Sequence, residues 1–194
     1  VKNESDIFFY NLQKSKKLNR EFLHEIFNAK EKIHEFYSPV ELDDLPYPDW
    51  GEYIKSFPLR NDFFSLKKKI AIPILGTRGC PYSCFHYCTY PLQQGRKVRA
   101  RTPENIVFEI EHWCKIFKKP KFIFRDPVFS INRKHTIALC NLLIQKNIKI
   151  DFLVETHLKN LDDELIELLK QAGLKLVYVG VESKHTDVLA NINR

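Results

Sequence analysis

The chain has 194 residues, 44% apolar and 13% aromatic, enough for one substantial hydrophobic core, and this excludes intrinsic disorder. Lys and Arg number 31 against 24 Asp and Glu, a net charge of +7, but runs such as Lys67-Lys68-Lys69 and Lys118-Lys119 read as solvated faces, so no specific nucleic-acid surface is expected. No apolar run approaches the roughly 20 residues of a membrane span, and the N-terminal "VKNESDIFFYNLQKSKK" lacks the pattern of a signal peptide, so the sequence predicts a cytoplasmic protein.

The first element is a helix over residues 15–36, "SKKLNREFLHEIFNAKEKIHEF", in which Leu18, Phe22, Ile26, Ile33 and Phe36 recur at helical spacing. A proline-broken stretch follows, "SPVELDDLPYPDWGEYIKSFP", which predicts an extended linker. The expected organisation is an N-terminal helical segment (1–41), a linker (42–69) and a catalytic-type domain (70–194).

From residue 70 the texture alternates. "IAIPIL" reads as a buried strand, "TPENIVFEIEHWCKIF" as a helix with Thr102 as N-cap and Pro103 at its first position, and "KFIFRD" as a second strand. "NRKHTIALCNLLIQKN" is a helix, "IKIDFLVET" a third strand, and "LDDELIELLKQAG" a helix that stops at Gly173. "LKLVYVGVES" is a fourth strand, and "KHTDVLANINR" starts another helix. Strand–helix alternation predicts an α/β fold of about four parallel strand–helix units joined by right-handed crossovers, either an open doubly wound sheet or part of a barrel.

Parallel α/β folds collect ligands at the C-terminal ends of their strands. The first strand runs into Cys80, the second ends at Arg125-Asp126, the third at Glu155-Thr156-His157 and the fourth at Glu182-Ser183. Polar strand ends ordinarily just meet water. Four of them around a cysteine cluster predict a site.

That cluster is "GTRGCPYSCFHYCTYPLQQGRKVRAR", with Cys80, Cys84 and Cys88 inside nine residues. Spacing of four would stack them on a helix face as small core residues, but Pro81, Pro91 and the glycines at 76, 79 and 95 favour a loop. With His86 they supply four candidate zinc ligands, although zinc sites usually pair two separated knuckles. Alternatively they hold an iron–sulfur cluster, in which three thiolates leave one of four irons open. Arg96, Lys97, Arg99 and Arg101 beside the cysteines are placed to meet an anionic ligand. Cys114 and Cys140, on amphipathic helices, are expected to be buried packing residues, and Trp50 to pack against the barrel.

"RGCPYSC" followed by "YCTYPLQQGRKVRARTPENIVFEIE" resembles the radical S-adenosylmethionine (radical SAM) enzymes, most of all the branch with an upstream cobalamin-binding domain. The resemblance continues through "FIFRDPVFSINRKH", "FLVETHLKNLDDELIELLKQAGLKLVYVGVES" and "LANINR", and includes the junction "LDDLPYPDW", covering roughly residues 42–194. It implies a partial (β/α) barrel and a 4Fe–4S cluster on Cys80, Cys84 and Cys88. The open iron would bind S-adenosylmethionine, and reduction would yield a 5′-deoxyadenosyl radical. Tyr87 would lie against the adenine. Asp126, Glu155, Glu182 and Ser183 would form the rest of the cofactor-binding set. The catalytic residues and the substrate are not assigned. The resemblance further implies an external electron donor such as flavodoxin or ferredoxin. Cobalamin is an additional option, for methyl transfer or rearrangement, although its binding domain lies outside this sequence. The alternative is a zinc-binding structural or interaction module, or an inactive truncated remnant.

Two features depart from the family pattern. The usual C-x-x-x-C-x-x-C spacing is C-x-x-x-C-x-x-x-C here, with Phe85 or His86 as the extra residue, and His157 stands where many relatives have Arg. Family barrels have about six strand–helix units. With four visible and no Met anywhere, the sequence is expected to be part of something longer, with an apolar edge on its last strand.

Overall fold

The computed structural model describes residues 41–52, 70–82, 84 and 88–191. The predicted 15–36 helix, much of the linker, Phe85, His86 and Tyr87 lie outside them. The chain divides into two compact units, residues 1–46 and 47–194. In the first, the described residues include a 3-10 turn at Leu42–Asp44.

The second unit carries a four-stranded sheet of β1 (Ala71–Ile74), β4 (Lys121–Phe124), β5 (Asp151–Thr156) and β6 (Leu174–Val179), in that spatial order and all parallel. Two short strands between β1 and β4, β2 (Thr77–Arg78) and β3 (Arg99–Ala100), pair antiparallel as a separate ribbon. The helices are α1 (Tyr90–Gln94), α2 (Pro103–Ile116), α3 (Arg133–Gln145), α4 (Asp163–Ala172) and α5 (Thr186–Asn191).

The helices start and stop where side chains answer their free backbone groups. Thr102, Asn132 and Asp162 each accept a bond from the backbone N–H three residues on, and the following runs of helix formers carry α2, α3 and α4. Gly173 ends α4 in the left-handed conformation, φ +111°, where a Cβ would strike the Ile150 carbonyl.

Strand order rises monotonically with sequence, and α2 packs beside α3, and α3 beside α4, in a single helical layer. Right-handed crossovers in one direction place every helix on the same side of the sheet. The sheet is therefore singly wound, as in a barrel, which decides between the two architectures open from the sequence. One face of β1, β4 and β5, with Ile72 and Ile74, Phe122 and Phe124, Phe152 and Val154, is buried under Ile106, Ile110, Trp113, Leu139, Leu143, Leu165 and Leu169. Trp50 packs against this core from the linker, as expected. The opposite face, with Ile123, Leu153 and Glu155, is only half-buried. β6 has β5 on one side, and its Leu176 and Tyr178 are 46% and 54% exposed.

Candidate radical SAM site

The cysteine loop begins where β1 ends. β2 and β3 bring its two stems together, with Thr77 opposite Ala100 and Arg78 opposite Arg99. Arg101 N–H donates to the Gly76 carbonyl at 2.9 Å and Cys80 N–H to the Gly95 carbonyl at 3.0 Å, so residues 76–101 form a closed loop. Gly79 makes the crossing possible. Its φ of +97° suits glycine alone, and a Cβ there would run into the Lys97 carbonyl oxygen. This ribbon and the short helix α1 were not expected. Each spans too few residues to show a period, and only the pairing between distant stems defines the ribbon.

Because the strands are parallel, their exits share one end of the sheet, and there they enclose a cleft of about 280 Å³. Its walls bring together Cys80, Cys84 and Cys88 from the loop, Glu155, Thr156 and His157 from the end of β5, and Gly180 and Glu182 from beyond β6. Glu182 holds a φ of +60°, rare for a residue with a side chain and tolerated where the surroundings enforce it. Tyr82, Thr89, Tyr90, Pro127 and Val128 complete the lining.

All five cysteines are free thiols. Cys80 is buried, and burial, more than the adjacent Cys84 and Cys88, pushes its thiol above the ordinary value. Among the described residues no three His, Cys, Asp or Glu side chains converge tightly enough to hold one metal ion. A single zinc demands that convergence. A four-iron cluster instead asks each thiolate to reach a different iron, a looser requirement than a shared ion.

Two tyrosines tie the loop to the strand exits. Tyr90 donates its hydroxyl to Glu155 Oε2 at 3.4 Å, and burial followed by the Glu155 charge raises its phenol above the usual range. The Tyr82 hydroxyl reaches Asn160 Oδ1 at 3.0 Å while its ring lies 5.1 Å from that of His157. His157 Nδ1 accepts from Lys159 N–H, which leaves the proton of the neutral ring on Nε2. Both tyrosines went unassigned in the sequence, although each lies two residues from a cysteine of the loop.

The remaining sequence candidates fall elsewhere. Asp126 is only 1% exposed and does not line the cleft. Its carboxylate accepts from Gly76 N–H at 2.7 Å and from the Thr77 hydroxyl at 2.9 Å, so it fastens the start of the loop from behind. Ser183 accepts from His185 N–H in the turn before α5, outside the cleft lining. Tyr87 is outside the described residues. Two expectations are corrected. Arg101 faces no ligand: it is buried against Glu109, because its own backbone belongs to the loop's closing stem. Cys114 is exposed rather than buried, since it lies on the solvent side of α2, whereas Cys140 is buried and its thiol is pushed up to about 12 by desolvation.

Residues 74–194 match the model of the radical SAM superfamily. The chain belongs to this superfamily. Members use a 4Fe–4S cluster and S-adenosylmethionine, and the superfamily is one of enzymes. Among curated relatives, the anaerobic magnesium-protoporphyrin IX monomethyl ester cyclase of Rubrivivax gelatinosus is 31% identical over 160 residues, 80% of this chain and 27% of that protein. The bacteriochlorophyllide d C-12(1)-methyltransferase of Chlorobaculum tepidum is 28% identical over 179 residues, 88% of this chain and 36% of the relative. The chain thus spans about a third or less of these two relatives. Among solved structures, the radical SAM methyltransferase TsrM of Kitasatospora setae, with cobalamin and a 4Fe–4S cluster bound, matches at a TM-score of 0.59 with 21% identity, covering 65% of this chain and 25% of that one. At that identity the likeness establishes the fold, here the partial radical SAM barrel. Among the described residues no helix is long and apolar enough to cross a membrane.

Proposed function

We propose that the cleft holds a 4Fe–4S cluster on Cys80, Cys84 and Cys88 and binds S-adenosylmethionine at the iron left open. The observation that carries this is the placement of all three loop thiols in one cleft with Glu155 and Glu182, at the C-terminal ends of a parallel sheet. When bound and reduced by an external one-electron donor, the cluster supplies reductive cleavage of S-adenosylmethionine to a 5′-deoxyadenosyl radical.

The chain's own residues bind, orient and shelter. The Glu155 and Glu182 carboxylates would accept hydrogen bonds from the ammonium and ribose hydroxyls of the cofactor, and His157, which lines the same cleft, would face its carboxylate. Tyr90 holds Glu155 in place through its hydroxyl. Tyr82 packs on His157, and Pro127 with the buried Val128 provides an apolar wall that keeps water from a reactive radical. Tyr87 is assigned to the adenine, and Ser183 supports the segment carrying Glu182. Asp126 acts from behind, on the loop stem.

The relatives are named as methyltransferases and cyclases of tetrapyrroles. The reaction that follows radical formation is assigned to the same broad class, cobalamin-assisted methyl transfer or ring formation, with the substrate left open. Anaerobic reconstitution of the chain with iron and sulfide tests the reading. It should give a brown protein with about four irons per chain. Cys80→Ala, Cys84→Ala or Cys88→Ala should abolish the colour, while Cys114→Ala and Cys140→Ala should leave it. A colourless protein carrying one tightly bound zinc overturns the proposal.

A further inference from the structure

Four cations follow the cysteines, and the fold separates them. Arg96 and Lys97 are exposed, whereas Arg101 is only 9% exposed. The Arg101 guanidinium donates to the Leu75 carbonyl at 3.1 Å, to Asn105 Oδ1 through Nε at 2.8 Å, and to Glu109 Oε2. Glu109 is 1% exposed and also receives the Trp113 indole N–H. The Tyr47 ring covers the guanidinium, its centroid 5.4 Å away, and the Tyr47 hydroxyl donates to the Asn105 carbonyl. The Arg101 main chain closes the loop onto Gly76, and its carbonyl bonds His135 Nε2 on α3 at 2.7 Å. One residue thus joins the exit of β1, the closing stem of the cysteine loop, two helices and the "PYPDW" segment ahead of the sheet.

A buried ion pair is not needed for stability, because apolar residues of similar size usually serve as well or better. What the fork of donors adds is fixed geometry. We propose that Arg101, held by Glu109, Asn105 and the Tyr47 ring, is a positioning residue that fixes the closing end of the cysteine loop and so sets how Cys80, Cys84 and Cys88 are presented to a cluster. Asp126 fixes the opening end through Gly76 and Thr77. The role of Arg101 rests on the cluster reading of the cleft.

The decisive variants are Arg101→Met alone and Arg101→Met with Glu109→Leu. The single change strands the Glu109 carboxylate in the core and should lower the unfolding midpoint. The double change replaces the pair by apolar groups and should restore the midpoint. If Arg101 positions the loop, both variants should retain cluster roughly 10–100-fold less tightly, the usual cost of losing support behind a metal ligand. Iron content after graded chelator challenge, the midpoint potential of the cluster and the change in its EPR signal on adding S-adenosylmethionine are the readouts. Leu169→Ala, a core truncation on α4, should lower the midpoint while leaving all three unchanged. A double variant that keeps its iron, potential and EPR response like the parent overturns the positioning role alone. A parent chain that takes up no cluster overturns the cleft reading and this role together.

Discussion

Asp126→Asn should stabilise this protein at neutral pH and flatten its dependence on pH. Burial pushes the Asp126 carboxyl from the ordinary 3.8 to about 6, outweighing the bonds from Gly76 and Thr77 and the attraction of Arg101, all of which favour the charge. The raised value means that between pH 3.8 and 6 the folded chain binds more protons than the unfolded one. Stability from this group is fully present below about pH 4, falls as pH rises through that window, and is gone above 6. At about 1.4 kcal/mol per pH unit, keeping the charge in the fold costs about 3 kcal/mol at neutral pH. Asparagine keeps an acceptor for Gly76 N–H at 2.7 Å and offers a donor to the Thr77 hydroxyl oxygen at 2.9 Å, without a charge to desolvate, though its amide nitrogen gives up the bond from Thr77 N–H, which takes part of the gain. Alanine strands the Gly76 N–H and should cost about 1–3 kcal/mol instead. Urea unfolding of parent and variants between pH 4 and 7.5 measures this, and taking the difference cancels other titrating groups. Asparagine should gain up to about 3 kcal/mol over the parent at pH 7.5 and nothing at pH 4. If asparagine destabilises at pH 7.5 as alanine does, the carboxylate is held charged by the loop and the reasoning fails.

Deleting His86 restores the three-two spacing of the cysteines and removes about 3.5 Å of chain; iron retention under chelator challenge should rise, and a loss of iron would show instead that the longer loop is adapted to its cluster. The chain should also self-associate at micromolar concentration through β6, whose Leu176 and Tyr178 are exposed beside an apolar strand edge. Sedimentation velocity should detect oligomers that Tyr178→Lys disperses, whereas a parent that sediments as a monomer refutes the edge as the cause.

The parallel sheet was legible because each buried strand is a short apolar run and each helix between carries both a period and a cap. Ile72, Phe122 and Phe152 mark the strands, and Thr102, Asn132 and Asp162 mark the helix starts. Once strands are parallel, their polar exits must share an end, so Glu155 and Glu182 could be placed near the cysteines before any coordinates. Arg101 turns into the core, and Asp126 bonds Gly76 and Thr77 behind the cleft, for one reason that the sequence hides. A charged residue beside a candidate site reads as facing the ligand, and its sequence neighbours do not show which way the backbone turns it. Tyr82 and Tyr90 were passed over because an aromatic next to a cysteine reads as packing until its hydroxyl has a partner.

The sequence by itself determined the order of the four sheet strands and of the helices that connect them, the ends of those helices and the three thiols of one loop, since these rest on neighbours within a few residues. Tertiary structure alone decided that the sheet winds one way, that β2 and β3 clamp the loop at both stems, and that Asp126 and Arg101 brace it from behind. Those contacts join residues tens of positions apart. Their geometry is fixed only when the strands pair and the core desolvates the charges, which makes satisfying each buried polar group obligatory.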